Sequence, residues 1–95
     1  MGKKKDIIKI HSKRRTGFST KLASGGHHYL VLTELEKKES PTIKTKVYLE
    51  GMIIDVVKSI PLSKDAYSLH KEIEKQHNKV IEKIKQLISR GNNSL

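Results

Sequence analysis

Residues 42–60 read TIKTKVYLEGMIIDVVKSI and decide the fold. Apolar and polar residues alternate through the first eight positions, which is the period of a strand with one buried face. Glu50-Gly51 is then the predicted two-residue hairpin turn, and positions 52–60 return as the partner strand. This register places Leu49 opposite Met52, Val47 opposite Ile54, Thr45 opposite Val56, and Lys46 opposite Asp55. Apolar side chains would meet on one face, and a cation would meet an anion on the other.

Upstream of this hairpin, the pattern predicts two further strands at 18–23 and 28–35. They are joined by a turn at 24–27, because the paired glycines Gly25 and Gly26 adopt positive φ without steric cost. Residues 7–10 are a candidate for a short edge strand before a basic loop at 11–17.

Downstream of Pro61, the apolar residues change to a helical period. Ser63 is the predicted N-cap, and the predicted helix ends at Gly91. Its apolar stripe is Ala66, Leu69, Ile73, Val80, Ile81, Ile84, Leu87 and Ile88. A helix of about 27 residues is ~40 Å long, whereas strands of about six to nine residues reach ~20–30 Å. The helix should therefore either break near His77-Asn78, or extend past the sheet and form a homodimer through Val80, Ile81, Ile84, Leu87 and Ile88, and we favour the homodimer.

These elements predict a single α+β domain: an antiparallel meander of four strands, or of five if residues 7–10 form an edge strand, followed by one long C-terminal helix on one face. Its segments are a basic arm at 1–17, the meander at 18–60, the helix at 61–91 and a frayed tail at 92–95. This order of elements is similar to that of some single-stranded nucleic-acid-binding modules and of many unrelated interaction domains.

Charge is concentrated at the start of this 95-residue chain. The net charge is +10, and residues 1–22 hold eight Lys or Arg and one Asp. The chain has no cysteine, which excludes disulfides and thiolate chemistry. The longest apolar run, at 29–32, is too short to cross a membrane. Signal-peptide and myristoylation patterns are incomplete, so a cytoplasmic protein is predicted.

A basic arm joined to a balanced body favours a polyanion as partner. The predicted phosphate-binding residues are Lys3, Lys4, Lys5, Lys13, Arg14 and Arg15, together with Lys44, Lys46 and Tyr48 on the outward face of their strand. The predicted function is non-enzymatic binding of DNA or RNA, preferentially single-stranded, with low sequence specificity. The alternative is a protein-interaction or adaptor module that uses the helix or a sheet edge. Either set of lysines could also be an ordinary solvated surface.

A third basic element is the column Lys71, Lys75, Lys79 and Lys83, in which neighbouring lysines are four positions apart. Like charges at this spacing cost a helix about 0.2–0.5 kcal/mol per pair. An anionic partner would offset that cost, and a solvated face is the alternative.

Histidines are the candidate catalytic or metal-binding groups. His70 and His77 lie beside the apolar stripe, and a separation of ~10.5 Å along the helix is too long for one shared metal. They are expected to lie at the helix–sheet or a subunit interface, either hydrogen-bonded or half exposed. His27 and His28 could cleave RNA without a metal, but no catalytic motif supports this. We therefore predict no enzyme, metal or cofactor.

Overall fold

The computed structural model describes residues 7–13, 17–37 and 39–93. Within them, five strands form one antiparallel sheet in sequence order, and a single helix follows. The elements are β1 (Ile8–Lys13), β2 (Gly17–Ser24), β3 (His27–Lys37), β4 (Pro41–Leu49), β5 (Met52–Ser59) and α1 (Ala66–Asn93). The predicted α+β meander with a C-terminal helix is confirmed, and the fifth strand is present. β1 is longer than predicted, because residues 11–13, expected in a loop, pair with β2.

The β2–β3 and β4–β5 turns lie at the same end of the sheet and are joined to each other. Gly25, Gly26 and Gly51 have positive φ, and so does Glu50 (φ 50°). Glu50 is held in that conformation by two hydrogen bonds. Its N–H donates to the carbonyl of His28 (3.0 Å), and its carboxylate accepts from the N–H of His28 (2.9 Å).

The β4–β5 hairpin begins in the predicted register and then departs from it. Leu49 pairs with Met52, but a bulge leaves Ile54 as an extra residue on β5. Val47 therefore lies opposite Asp55, and Lys46 lies opposite Val56. The predicted Lys46–Asp55 pair is wrong, because the extra residue moves Asp55 to the face that carries the helix. There its carboxylate accepts from the N–H of Val56 (2.9 Å).

The N-cap of α1 is Asp65, so the prediction of Ser63 is wrong. The Asp65 carboxylate accepts from the N–H of Ser68 (2.8 Å), and this hydrogen bond lowers the pKa of Asp65. Ser63 lies outside the helix, where its N–H donates to the carboxylate of Glu72 (2.7 Å). α1 continues through His77 and past the predicted end at Gly91 to Asn93.

α1 packs across β2, β3 and β4 and contributes to two aliphatic clusters. One cluster contains Phe18, Ile43 and Ile73, and the other contains Leu22, Val31, Val47, Val80, Ile81, Ile84 and Ile88. The expected overhang of the helix is wrong, since β3 has 11 residues and extends beneath the second half of α1. Of the five residues predicted for self-association, four are buried in this chain's own core, and Leu87 is exposed.

Candidate functional site

Because the helix covers one side of the sheet, the opposite side is uncovered by the described residues. We call this side the open face. The strand pairings place on it Ile8, Ile10, Lys21, Ala23, Leu30, Leu32, Lys44, Lys46, Tyr48, Ile53, Val56 and Lys58. Its aliphatic side chains are well exposed at the edges, at 61% for Ile8 and 58% for Ile10, and Leu30 and Leu32 at the centre are half-buried. The open face thus combines an apolar centre with several lysines and with the acids Glu34 and Glu36.

A hollow of about 400 Å³ lies at the turn end of the open face. Ile8, Ile10 and Leu30 supply aliphatic walls, Tyr48 supplies a ring, and Lys21 supplies a cation, while His28 and the acid Glu50 line the hollow at the turns. A largely apolar hollow with a tyrosine ring and a nearby lysine has the chemistry needed to hold a nucleobase and its phosphate. Lys21 was missed in the sequence analysis, although its alternation with Thr20 and Leu22 could have placed it on the face opposite the core.

The predicted binding residues of β4 lie together on the open face, and each has its own neighbours. Lys44 forms an ion pair with Glu36, at 3.1 Å between Nζ and Oε2, and both side chains are half-buried. Lys46 lies between Leu32 on β3 and Val56 on β5. Part of the charge of Lys44 is therefore offset by its partner, whereas Lys46 is not paired with Asp55 as predicted.

Among the predicted phosphate-binding residues of the basic arm, the one that the structure describes, Lys13, does not lie on the open face. Lys13 pairs with Phe18, whose ring is in the core, so Lys13 emerges on the helix-bearing side of β1. The remaining predicted arm residues lie outside the described residues: Lys3, Lys4, Lys5, Arg14 and Arg15.

A second site is a chain of side-chain hydrogen bonds beneath α1 that reaches every strand. His11 Nδ1 lies 2.7 Å from Thr20 Oγ1, which lies 2.7 Å from His77 Nε2. On the other side of the His77 ring, Nδ1 lies 2.8 Å from Thr33 Oγ1, and Thr33 is 2.7 Å from Thr45. The Gln76 amide then donates to Thr45 Oγ1 (3.0 Å) and accepts from the hydroxyl of Ser59. We call these seven residues the polar chain.

The direction of the polar chain follows from its amide end. Gln76 Nε2 also faces the carbonyls of Ile43 and Val57, so this atom is the donor. Thr45 consequently donates to Thr33, Thr33 donates to His77 Nδ1, and the ring carries its proton on Nε2. That N–H donates to Thr20, which in turn donates to His11. This assignment leaves every hydroxyl of the three threonines with an acceptor.

A charged His77 does not fit this arrangement. Both ring nitrogens would then donate, and one threonine hydroxyl would lose its acceptor. His77 is fully buried, and burial together with the nearby His11 and Lys9 lowers its pKa from 6.5 to about 4. The expectation of a hydrogen-bonded histidine at the helix–sheet interface is confirmed for His77. Its partners could have been suspected from Thr20 and Thr45, which stand at inward positions among apolar residues.

His27 and His28 lie at the exposed turn end, beside Glu50. Each Nδ1 is 3.8 Å from a carboxylate oxygen of Glu50. Among the described residues, no three His, Cys, Asp or Glu side chains are close enough together to hold a metal ion. No helix in the same part of the chain is long and apolar enough to span a membrane.

Compared with known proteins, the chain matches no protein-family model, no curated protein and no solved structure.

Proposed function

We propose that this protein is a non-enzymatic nucleic-acid-binding protein that binds single-stranded DNA or RNA on the open face. The observation that supports the proposal is the uncovered sheet surface on which Tyr48 and aliphatic side chains adjoin Lys21 and Lys46. A cytoplasmic location belongs to the same proposal, because nucleic acids are accessible there.

The preference for single strands follows from the hollow. A base can enter it and stack on Tyr48 only when it is not paired within a duplex. One ring and a few lysines recognise the sugar-phosphate backbone and any base plane, so we expect low sequence specificity. The net charge of +10 should accelerate association with a polyanion.

The test is a titration of fluorescently labelled oligo(dT) and oligo(U), and of matching duplexes, at several salt concentrations. We expect single strands to bind more tightly than duplexes. The logarithm of the binding constant should fall linearly with the logarithm of salt concentration, because bound phosphates release counterions. Absence of binding at low salt, or equal affinity for duplex and single strand, would overturn the proposal.

Variants locate the site. Tyr48→Ala should weaken binding about tenfold, in line with the loss of one stacked base. Lys21→Ala/Lys46→Ala should weaken binding and reduce the salt dependence. The matched control is Lys64→Ala/Lys71→Ala, which removes the same charge from exposed positions near the start of α1. If the control loses as much affinity as the open-face pair, binding depends on net charge alone.

A further inference from the structure

A groove separates α1 from β5 on the helix-bearing side of the sheet. It arises because α1 packs over β2, β3 and β4, which leaves this side of β5 uncovered by the described residues. The groove has a volume of about 720 Å³, and Ile43, Val57 and Val80 form its floor. It is distinct from the open face, which lies on the other side of the sheet.

The α1 wall of the groove is basic. Lys75, Lys79 and Lys83 all line it, at a rise of ~6 Å from one lysine to the next. Glu72 also lines the groove, but its carboxylate accepts hydrogen bonds from Ser63 and Leu62, and these lower the pKa of Glu72. The lining therefore carries three cations and one committed anion, which favours an acidic occupant. An acidic occupant would offset the repulsion between the lysines of the column, which is unfavourable within an isolated helix.

The opposite wall of the groove is β5, an edge strand. β5 pairs with β4 on one side, and no described strand pairs with its other side. The N–H of Val56 donates to the carboxylate of its neighbour Asp55 (2.9 Å), and the other outward backbone N–H and C=O groups of β5 can pair with an added strand. The outward side chains Ile53 and Val56 are exposed, at 53% and 42%, so a strand placed beside β5 would find an apolar surface on the open-face side.

We propose that the edge of β5 binds an extended acidic segment of another protein as a sixth strand. Its acidic residues, at every second position, would point towards Lys75, Lys79 and Lys83. The alternate residues would be aliphatic and pack beside Ile53 and Val56. The spacing agrees, because alternate residues of a strand lie ~6.7 Å apart, close to the ~6 Å rise between the lysines.

The observations favour a peptide over the other possible occupants. The described groove lining includes no aromatic ring on which a base could stack, and the backbone groups of β5 match a peptide rather than a nucleic acid. The β5 strand of a second copy carries one acid, Asp55, and one base, Lys58, so it would not neutralise three lysines.

The probe is a labelled peptide with glutamate and valine at alternate positions. Two control peptides keep the alternation with lysine for glutamate, or keep the composition with the glutamates and valines in separate blocks. Lys79→Glu/Lys83→Glu should weaken binding of the alternating peptide at least tenfold. Lys64→Glu/Lys71→Glu, which makes the same charge change outside the groove, should change it by less than about threefold, as expected for screened long-range charge.

Hydrogen exchange provides a readout that net charge alone would not change. The alternating peptide should slow exchange of backbone amides in β5 and leave β1, the other edge strand, unchanged. Equal losses in the two charge variants, tight binding of the block peptide, or unprotected β5 amides would overturn the proposal. So would oligo(dT) binding that protects β5 and is lost in Lys79→Glu/Lys83→Glu. The open-face variant Lys21→Ala, on β2 and separated from β5 by two strands, should not affect the peptide, so failure here and failure of the proposed function are distinguishable.

Discussion

The two faces of the sheet are built from the same strands, and they differ in what surrounds their polar groups. On the covered face, Thr20, Thr33, Thr45 and His77 are fully buried, and each is hydrogen-bonded to another side chain. On the open face, Lys21 and Lys46 stand beside exposed aliphatic residues. A polar group under α1 must find a partner within the chain, whereas one on the open face can bind solvent or a ligand. Stability should therefore depend on the covered face and nucleic-acid binding on the open face.

The largest expected effect is the loss of the His77 ring. His77→Ala leaves a cavity and removes the partner of both Thr20 and Thr33, which should lower the free energy of unfolding by about 4 kcal/mol. Urea denaturation followed by circular dichroism measures it. His70→Ala is the control, because His70 is half-buried and its ring contacts Phe18. A loss below about 1 kcal/mol for His77→Ala would show that the polar chain contributes little.

Lowering the pH should have the next largest effect on stability, and it acts through the covered face. The folded-state pKa of His77 is about 4 and its ordinary value is 6.5. At pH 7 the His77 ring is mostly neutral in the folded and in the unfolded chain. As the pH falls below 6.5, the ring takes up a proton in the unfolded chain but not in the folded chain. Stability should fall between pH 6.5 and 4 by up to about 3 kcal/mol and then level off for this group. Urea midpoints at pH 7, 6 and 5 test this, and in His77→Phe this part of the decrease should be absent.

A smaller effect on stability is expected from the close approach of β2 and β3 at Gly17, within the plane of the sheet. A Cβ atom added at Gly17 would lie 2.0 Å from the carbonyl oxygen of Thr33, so β2 and β3 would have to move apart. Gly17→Ala should lower the free energy of unfolding by about 2 kcal/mol. Ser19→Ala, on the same strand, is the reference variant. A thermal midpoint equal to that of the parent chain would contradict the close approach.

The smallest effect on stability belongs to the open face. Lys46→Ala and Tyr48→Ala should each change the free energy of unfolding by about 0.5 kcal/mol or less, because neither side chain is part of the core. Measured with the oligonucleotide titrations, this result would separate binding from folding. A loss comparable to that of His77→Ala would mean that the open face is covered in solution, for instance by a second copy.

Local patterns predicted most of the fold, and contacts distant in sequence account for what they missed. The Glu50-Gly51 turn and the Leu49–Met52 pair depend on neighbouring residues, and both are present. The bulge at Ile54 was missed because Met52, Ile53 and Ile54 are all apolar, so the local pattern does not mark which of them is the extra residue. Asp65 is the N-cap in place of Ser63, whose N–H instead donates to Glu72, nine positions further along the chain.

The same distinction applies to the candidate site. Lys44, Lys46 and Tyr48 alternate on one strand, so their common face could be predicted from spacing alone. The hollow requires β1, β3 and β4 to be adjacent, and the groove requires α1 to lie away from β5. The polar chain joins residues up to 57 positions apart, as Thr20 and His77 are. Such contacts leave only an indirect mark in the sequence, namely hydroxyl residues at inward positions.

The polar chain also determines where α1 sits along its own axis. Aliphatic surfaces alone allow a helix to slide, because one apolar residue replaces another at nearly equal free energy. A shift by one turn, ~5.4 Å, would place Val80 or Ile73 against the threonine hydroxyls and move the imidazole among aliphatic side chains. That displacement would leave several hydrogen-bonding groups unsatisfied at once, at about 1–3 kcal/mol each. The polar chain thereby fixes the axial position of α1 on the sheet, and the lysines along its flank keep a constant position relative to the neighbouring edge strand.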